Sequence, residues 1–202
     1  MKRFVISLNC VALVMFLFAG AVSEAQTSNY AVVKAGVYSP NSSDLGGFNT
    51  GFNGEVAFGH YFNKNFAMEL GLGYFESSGS GSNIFNDISG SGTGDIYAIP
   101  LTLAVKAIYP IERWEIYAIG GMGAYFCNGK FNISTDSFNS DKYSTAFGGF
   151  LGGGADYTLY DNWFFGIEGK YLWVTPEFTF FGQKVDVKFD GWTVTGNIGY
   201  RF

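Results

Sequence analysis

From Trp192 to Phe202, apolar and polar residues alternate with a period of two, and the chain stops on an aromatic ring. One face carries Trp192, Val194, Gly196, Ile198, Tyr200 and Phe202; the other carries Thr193, Thr195, Asn197, Gly199 and Arg201. Such alternation marks a strand with one face in an apolar medium and one in a polar medium. Here large rings stand at both ends of the apolar face, with smaller residues between them. That places ring side chains at two headgroup levels, as on a lipid-facing strand. Ten steps of ~3.3 Å, tilted by ~40°, rise roughly 25 Å, the height of an outer-membrane apolar band.

The same pattern recurs seven times upstream. It predicts strands near residues 30–38, 52–62, 66–75, 96–109, 114–126, 144–159 and 163–173. On the third, Phe66, Met68, Leu70, Leu72 and Tyr74 share a face; on the seventh, Trp163, Phe165, Ile167, Gly169, Tyr171 and Trp173 do. Three connections are short, at 63–65, 110–113 and 160–162. Four are long, at about 39–51, 76–95, 127–143 and 174–191, and polar or Gly/Ser-rich. Short turns at one end and long loops at the other are the periplasmic and extracellular sides of an outer-membrane barrel. Trp114 and Trp163 follow short turns, whereas Trp173 and Trp192 flank a long loop, so two tryptophans fall at each expected interface. The predicted fold is all-β, an eight-stranded antiparallel up-and-down transmembrane β-barrel.

If the apolar face meets lipid, the opposite face lines the interior. Eight strands leave room only for side chains, so large inward residues need small neighbours. Gly36, Gly59, Gly71, Gly73, Gly121, Gly123, Gly152, Gly154, Gly166 and Gly199 share that face with Tyr38, Tyr61, Tyr117, Tyr125 and Phe164. Gly152-Gly-Gly154 lacks the following Lys-Ser/Thr of a phosphate-binding loop. The face also carries Glu55, Glu69, Glu115, Asp156 and Glu168 against Lys34, Lys106, Lys170 and Arg201. Enclosed ions cost several kcal/mol each unless they pair. Distances from the turns predict that Glu69 meets Lys106, with Glu168 and Lys170 joined to Asp156 or Lys34. This network reads as a polar plug, with a charged constriction for small solutes as the functional alternative.

Composition limits the rest. Met1-Lys2-Arg3, an apolar stretch to Gly20 and small residues at Ser23 and Ala25 predict a signal peptide over residues 1–25. An uncleaved membrane anchor is the competing reading. The remaining domain, 26–202, holds 10 basic and 16 acidic residues, a balance that argues against nucleic acid as a partner. Cys127 is its one cysteine, so it forms no internal disulfide, and His60 is its one histidine. No metal site or cofactor is expected: the cysteine, histidine and carboxylate spacing lacks a ligand cluster. Asp136, Asp141, Asp186 and Asp190 lie in the long connections, where solvation explains them.

The domain resembles the small outer-membrane β-barrel, porin-like family, of the outer membrane protein A transmembrane-domain and outer membrane protein W and X types. The residues that carry the likeness are Phe62-Asn-Lys-Asn-Phe-Ala-Met-Glu69-Leu-Gly-Leu-Gly-Tyr74, Ile99-Pro-Leu-Thr-Leu103, Ile119-Gly-Gly-Met-Gly123, Asp161-Asn-Trp163 and Gly199-Tyr-Arg-Phe202. The resemblance implies that the barrel assembly machinery reads Tyr200 and Phe202. It also implies an interior acid–base network, matched here by Glu69, Lys106 and Glu168. Its members include structural proteins, adhesins and narrow channels.

The sequence therefore predicts an exported protein of the cell outer membrane, in contact with membrane lipid. Its leading role is structural or surface-interacting, through loops that meet an unidentified ligand. The alternative is a narrow channel for small solutes or apolar molecules, with Phe178, Phe180 and Phe181 as an entry surface or as strand extension. No catalytic residue is expected: a lipid-modifying hydrolase or protease needs a nucleophile beside its base, and His60 is followed by Tyr61-Phe62. A soluble barrel would reverse the two faces.

Overall fold

A computed structural model describes residues 29–45, 47–81, 92–133, 138–160, 162–180 and 183–202. The expected leader over 1–25, Asp136, Asp161 and Phe181 lie outside the described residues, as do the side chains of Asp141, Phe178 and Phe180. The strands are β1 (Asn29–Pro40), β2 (Gly51–Asn63), β3 (Phe66–Gly81), β4 (Gly92–Ile111) and β5 (Trp114–Ile133). They continue as β6 (Phe138–Tyr160), β7 (Trp163–Val174), β8 (Glu177–Phe180), β9 (Gln183–Asp186) and β10 (Gly191–Arg201). Eight of them close an antiparallel barrel in the order β1-β10-β7-β6-β5-β4-β3-β2. Closure leaves no ladder edge within the band, which hydrocarbon requires of any spanning sheet. Asn29 and Phe202 exchange backbone hydrogen bonds of 3.2 and 2.9 Å, so the described ends meet at the short-turn side.

The pleat sorts the residues as the alternation requires. Ile167, Val194, Val105 and Met122 face outward, more than half exposed, while Lys34, Glu69, Lys106 and Glu168 are buried inside. The soluble alternative, with its reversed faces, is thereby excluded. Trp114 packs on Tyr157 and Trp163 on Tyr200 near the short turns; Tyr171 bridges Trp173 and Trp192 at the other end.

The turns follow local chemistry. Asn63 Oδ1 accepts from the Asn65 and Phe66 backbone amides at 2.8 and 3.0 Å. Glu112 and Arg113 alone join β4 to β5, with Ile111 opposite Trp114 and Glu112 at φ 52°. A two-residue hairpin with positive φ matches the twist of its strands.

Two expectations are corrected. Within the connections near 76–95 and 127–143, residues 76–81, 92–95, 127–133 and 138–143 are strand: β3 to β6 rise well beyond the expected ends, because paired backbone stays satisfied above the lipid as well as within it. The connection near 174–191 contains the separate hairpin β8–β9, which pairs Glu177 with Asp186 and Phe180 with Gln183. Phe178 and Phe180 therefore belong to that two-stranded sheet and not to extended barrel strands.

Glycines inside and outside serve different ends. An added Cβ at Gly199 would overlap the Phe164 ring, and one at Gly59 would overlap Tyr30. At lipid-facing Gly196 the nearest atom would be 4.0 Å away, the carbonyl oxygen of Ala35. Gly199→Ala should destabilise the folded barrel by about 1–3 kcal/mol through overpacking. Gly196→Ala should change stability by about 0.5 kcal/mol or less, or raise it slightly. Urea unfolding in lipid vesicles reads both; equal effects would contradict the sorting of the two faces.

Candidate functional site

Among the described residues, the lumen is where chemistry-bearing side chains converge, and strand register decides which ones meet. Lys34 on β1 lies directly opposite Glu55 on β2. Glu69 on β3 and Lys106 on β4 stand diagonally, since Ala67 pairs with Lys106 and Glu69 with Ala104. Glu168 and Lys170 on β7 face Gly154 and Gly152 on β6. Side chains from five strands thus project into one layer, and the glycines opposite leave them space.

Lys34 is the hub. Its Nζ lies 2.8 Å from Glu55 Oε1, 2.6 Å from Glu69 Oε1 and 2.9 Å from Glu168 Oε1. Lys106 joins Glu69 Oε2 at 2.9 Å; Lys170 joins Glu55 Oε2 at 2.9 Å and Glu168 Oε1 at 3.0 Å. The Tyr30 hydroxyl donates to Glu69 Oε2 at 2.9 Å, and the Tyr117 hydroxyl to Glu168 Oε2 at 3.0 Å. All six oxygens of the three glutamates therefore have partners, with three lysines balancing three carboxylates. Lys106 is also flanked by the Tyr117 and Tyr30 rings, whose centroids lie 4.3 and 5.2 Å from its Nζ. Charge-assisted bonds of this kind are strong, and they specify one arrangement because each loss strands a buried ion.

The short-turn end has its own cluster. Arg201 lies 3.0 Å from Glu115 Oε2, donates to Thr158 Oγ1 at 2.7 Å and covers the Phe164 ring at 4.6 Å. Tyr61 donates to Glu115 at 2.9 Å. The long-loop end is apolar. Phe75 packs tilted against Tyr38 and edge-on against Tyr125; Ile96, Leu172 and Val174 are buried too, and the connections add Leu45, Val187 and Phe189. Tyr38 donates to the Phe189 carbonyl at 2.8 Å, the Val174 amide donates to Asp190 Oδ1 at 3.0 Å, and the Lys188 amide donates to Asp44 Oδ2 at 3.0 Å.

The structure brings together Lys34, Glu69, Lys106, Glu168 and Lys170. Asp156 is buried in the same lumen but makes no ion pair among the described residues. Glu55 belongs at the centre, although the spacing from the turns did not assign it a partner: the β1–β2 register that sets it beside Lys34 follows a long connection. The hydroxyl roles of Tyr30 and Tyr117 also went unread. So did the inward fold of Val187 and Phe189, whose one signal was alternation inside a polar stretch. Asp190 is an anchor for the Val174 amide. His60 sits outside, its Nδ1 2.9 Å from Asn29 Oδ1 and its ring edge-on to Phe62. Among the described residues no group of three or more His, Cys, Asp or Glu is placed to hold a metal ion. Cys127 is buried with its thiol 3.7 Å from the Tyr125 carbonyl.

Known proteins share this architecture. OprG of Pseudomonas aeruginosa is similar at TM-score 0.58 and 17% identity, over 88% of this chain and 97% of that one. A major outer membrane protein of Thermus thermophilus is similar at TM-score 0.60 and 16% identity, over 88% and 100%. Neisserial surface protein A gives 0.52 and 14%, over 89% and 100%. Identities this low speak to the fold alone. A curated relative, an uncharacterized protein of Coxiella burnetii (strain RSA 493 / Nine Mile phase I), is 32% identical over 79 residues. The alignment covers 36% of this chain, and the chain spans about a third, 32%, of that relative. The model of the outer membrane protein beta-barrel domain matches residues 10–202. With that match on a closed barrel whose apolar residues face outward, the chain belongs to the outer membrane protein β-barrel family and is a protein of the outer membrane.

Proposed function

We propose that this protein is a closed barrel whose lumen is sealed by its own side chains, and that it acts through its outer surface and loops. The observation that carries this reading is Lys34, 1% exposed and bonded to glutamates from three other strands. A hydrated solute passing this layer would have to separate ions that lack water to replace their partners. The apolar packing of Phe189, Val187 and Leu45 at the long-loop end adds a second barrier. Above it, β5 and β6 continue as a paired hairpin from Cys127–Ser144 to Ile133–Phe138, a stiff mount for surface contact. No enzymatic role is proposed: His60, the histidine of the domain, faces outward, and its partners among the described residues are Asn29 and Phe62. The narrow-channel reading is the outcome that conductance would reveal.

Recognition by the barrel assembly machinery is assigned to the last residues of β10 and the ring that follows. Tyr200 and Phe202 face the lipid side, with centroids 6.4 Å apart and Phe58 6.0 Å from Phe202.

In planar bilayers the purified protein should show no large, stable open level; such a level would contradict the sealed lumen. Lys34→Met should destabilise the barrel by about 3–5 kcal/mol, the cost of removing one partner from a buried ionic cluster. Urea midpoints in vesicles measure it. Deleting Phe202 should lower the amount of folded barrel in the outer membrane of cells while leaving detergent refolding of the purified chain intact. Unchanged cellular assembly would remove the role assigned to that residue.

A further inference from the structure

Among the described residues, the lumen holds one carboxylate more than its cations: Glu55, Glu69, Glu115, Asp156 and Glu168 point inward against Lys34, Lys106, Lys170 and Arg201. Each of the four cations is committed. The lysines bind Glu55, Glu69 and Glu168, and Arg201 binds Glu115 and Thr158. Asp156 is the remainder. It is 4% exposed, and its Oδ1 has no hydrogen-bond partner. That oxygen lies over Gly166, in the space where any other residue would carry its Cβ. Its cross-strand neighbour on β5 is Glu115, a charge of the same sign. The other groups around it are Lys106 on β4, an attractive charge already paired with Glu69, Glu168 on β7, Tyr117 on β5 and Asn197 on β10, whose amide hydrogen-bonds the carboxylate but leaves Oδ1 bare. Tyr117 and Asn197 are bound to one another at 3.4 Å, and Tyr117 donates its proton to Glu168.

A buried carboxylate with a bare oxygen beside a second carboxylate is not a stable arrangement by itself. We infer that Asp156 is a binding site for one small monocation, a proton or an alkali-metal ion, supplied from the periplasmic end. Glu115 and Arg201, at that end, have side chains 22% and 12% exposed, the most accessible of the paired lumen ions. The bound charge neutralises the lower lumen without disturbing the Lys34 layer, because none of that layer's partners is needed. The site differs from the sealing cluster, which is already neutral, and it stands whether or not the sealed-lumen reading holds.

The test is infrared difference spectroscopy on the folded, full-length barrel in detergent at neutral pH, with carboxyl-¹³C aspartate to separate aspartate from glutamate. Spectra are taken in sodium chloride and in the chloride of a bulky organic cation. A bound proton gives an un-ionised aspartic carbonyl band in both salts. A bound alkali ion gives a carboxylate band that shifts when sodium is exchanged. Either signal should vanish in Asp156→Asn. It should also be lost in Gly166→Ala, which keeps the acid but fills the space over which Oδ1 lies. An ionised aspartate indifferent to sodium would overturn the inference, as would a signal that survives Asp156→Asn. The labelled wild-type chain decides the first point even if a variant fails to fold.

Discussion

The structure depends on a constraint set from both sides of the wall. Hydrocarbon outside favours apolar side chains, so the Glu, Asp and Lys side chains midway along the spanning strands point into the interior of an eight-stranded barrel, which has room for little beyond side chains. There each charge needs its opposite within reach. Lys34 meets that demand for three glutamates at once, and β1, β2, β3 and β7 are thereby held at one relative height. The apolar residues outside fix which face of each strand turns inward, and the ionic layer fixes how far each strand slides past the next. A slip of one residue in any of them would put an ion in lipid.

Space is the second demand, and it explains the glycines. Phe164 occupies the place over Gly199, Tyr30 the place over Gly59, and Asp156 the place over Gly166. In each pair a bulky or charged residue on one strand meets an absent side chain on its neighbour. The described side chains of the lumen fall into three successive layers. An Arg201–Glu115 cluster lies at the periplasmic end, the lysine–glutamate layer in the middle and an aromatic–aliphatic layer at the outer end.

Much of this was legible in the sequence, because alternation is a local property. The outward set, including Phe165, Ile167 and Ile198, followed from period two alone, and the short turns followed from Asn63, Asn65 and Asn162. The Glu69–Lys106 contact could be placed because both residues are counted from nearby turns. Contacts across the lumen were legible only as alternatives. Glu168 was expected beside Asp156 or Lys34, and it meets Lys34 because β10 brings β1 and β7 to one side, an approach that no spacing along the chain encodes. The long connections misled for a related reason. Polar, glycine-rich text reads as loop, yet Asn128 to Ile133 pairs with Phe138 to Tyr143, since above the lipid a strand can be polar on both faces. Phe189 was hidden similarly: its burial depends on Tyr38, well over a hundred residues away, holding its carbonyl.

The central claim is that Lys34 and the glutamates around it act as one buried unit. A double-mutant cycle between Lys34 and Glu168, read by reversible urea unfolding in lipid vesicles with Lys34→Met and Glu168→Gln, measures this directly. The account predicts a coupling above about 1.5 kcal/mol, within the range of buried residues sharing one network. Additivity to within about 0.5 kcal/mol, the behaviour of a solvent-exposed pair, would contradict it.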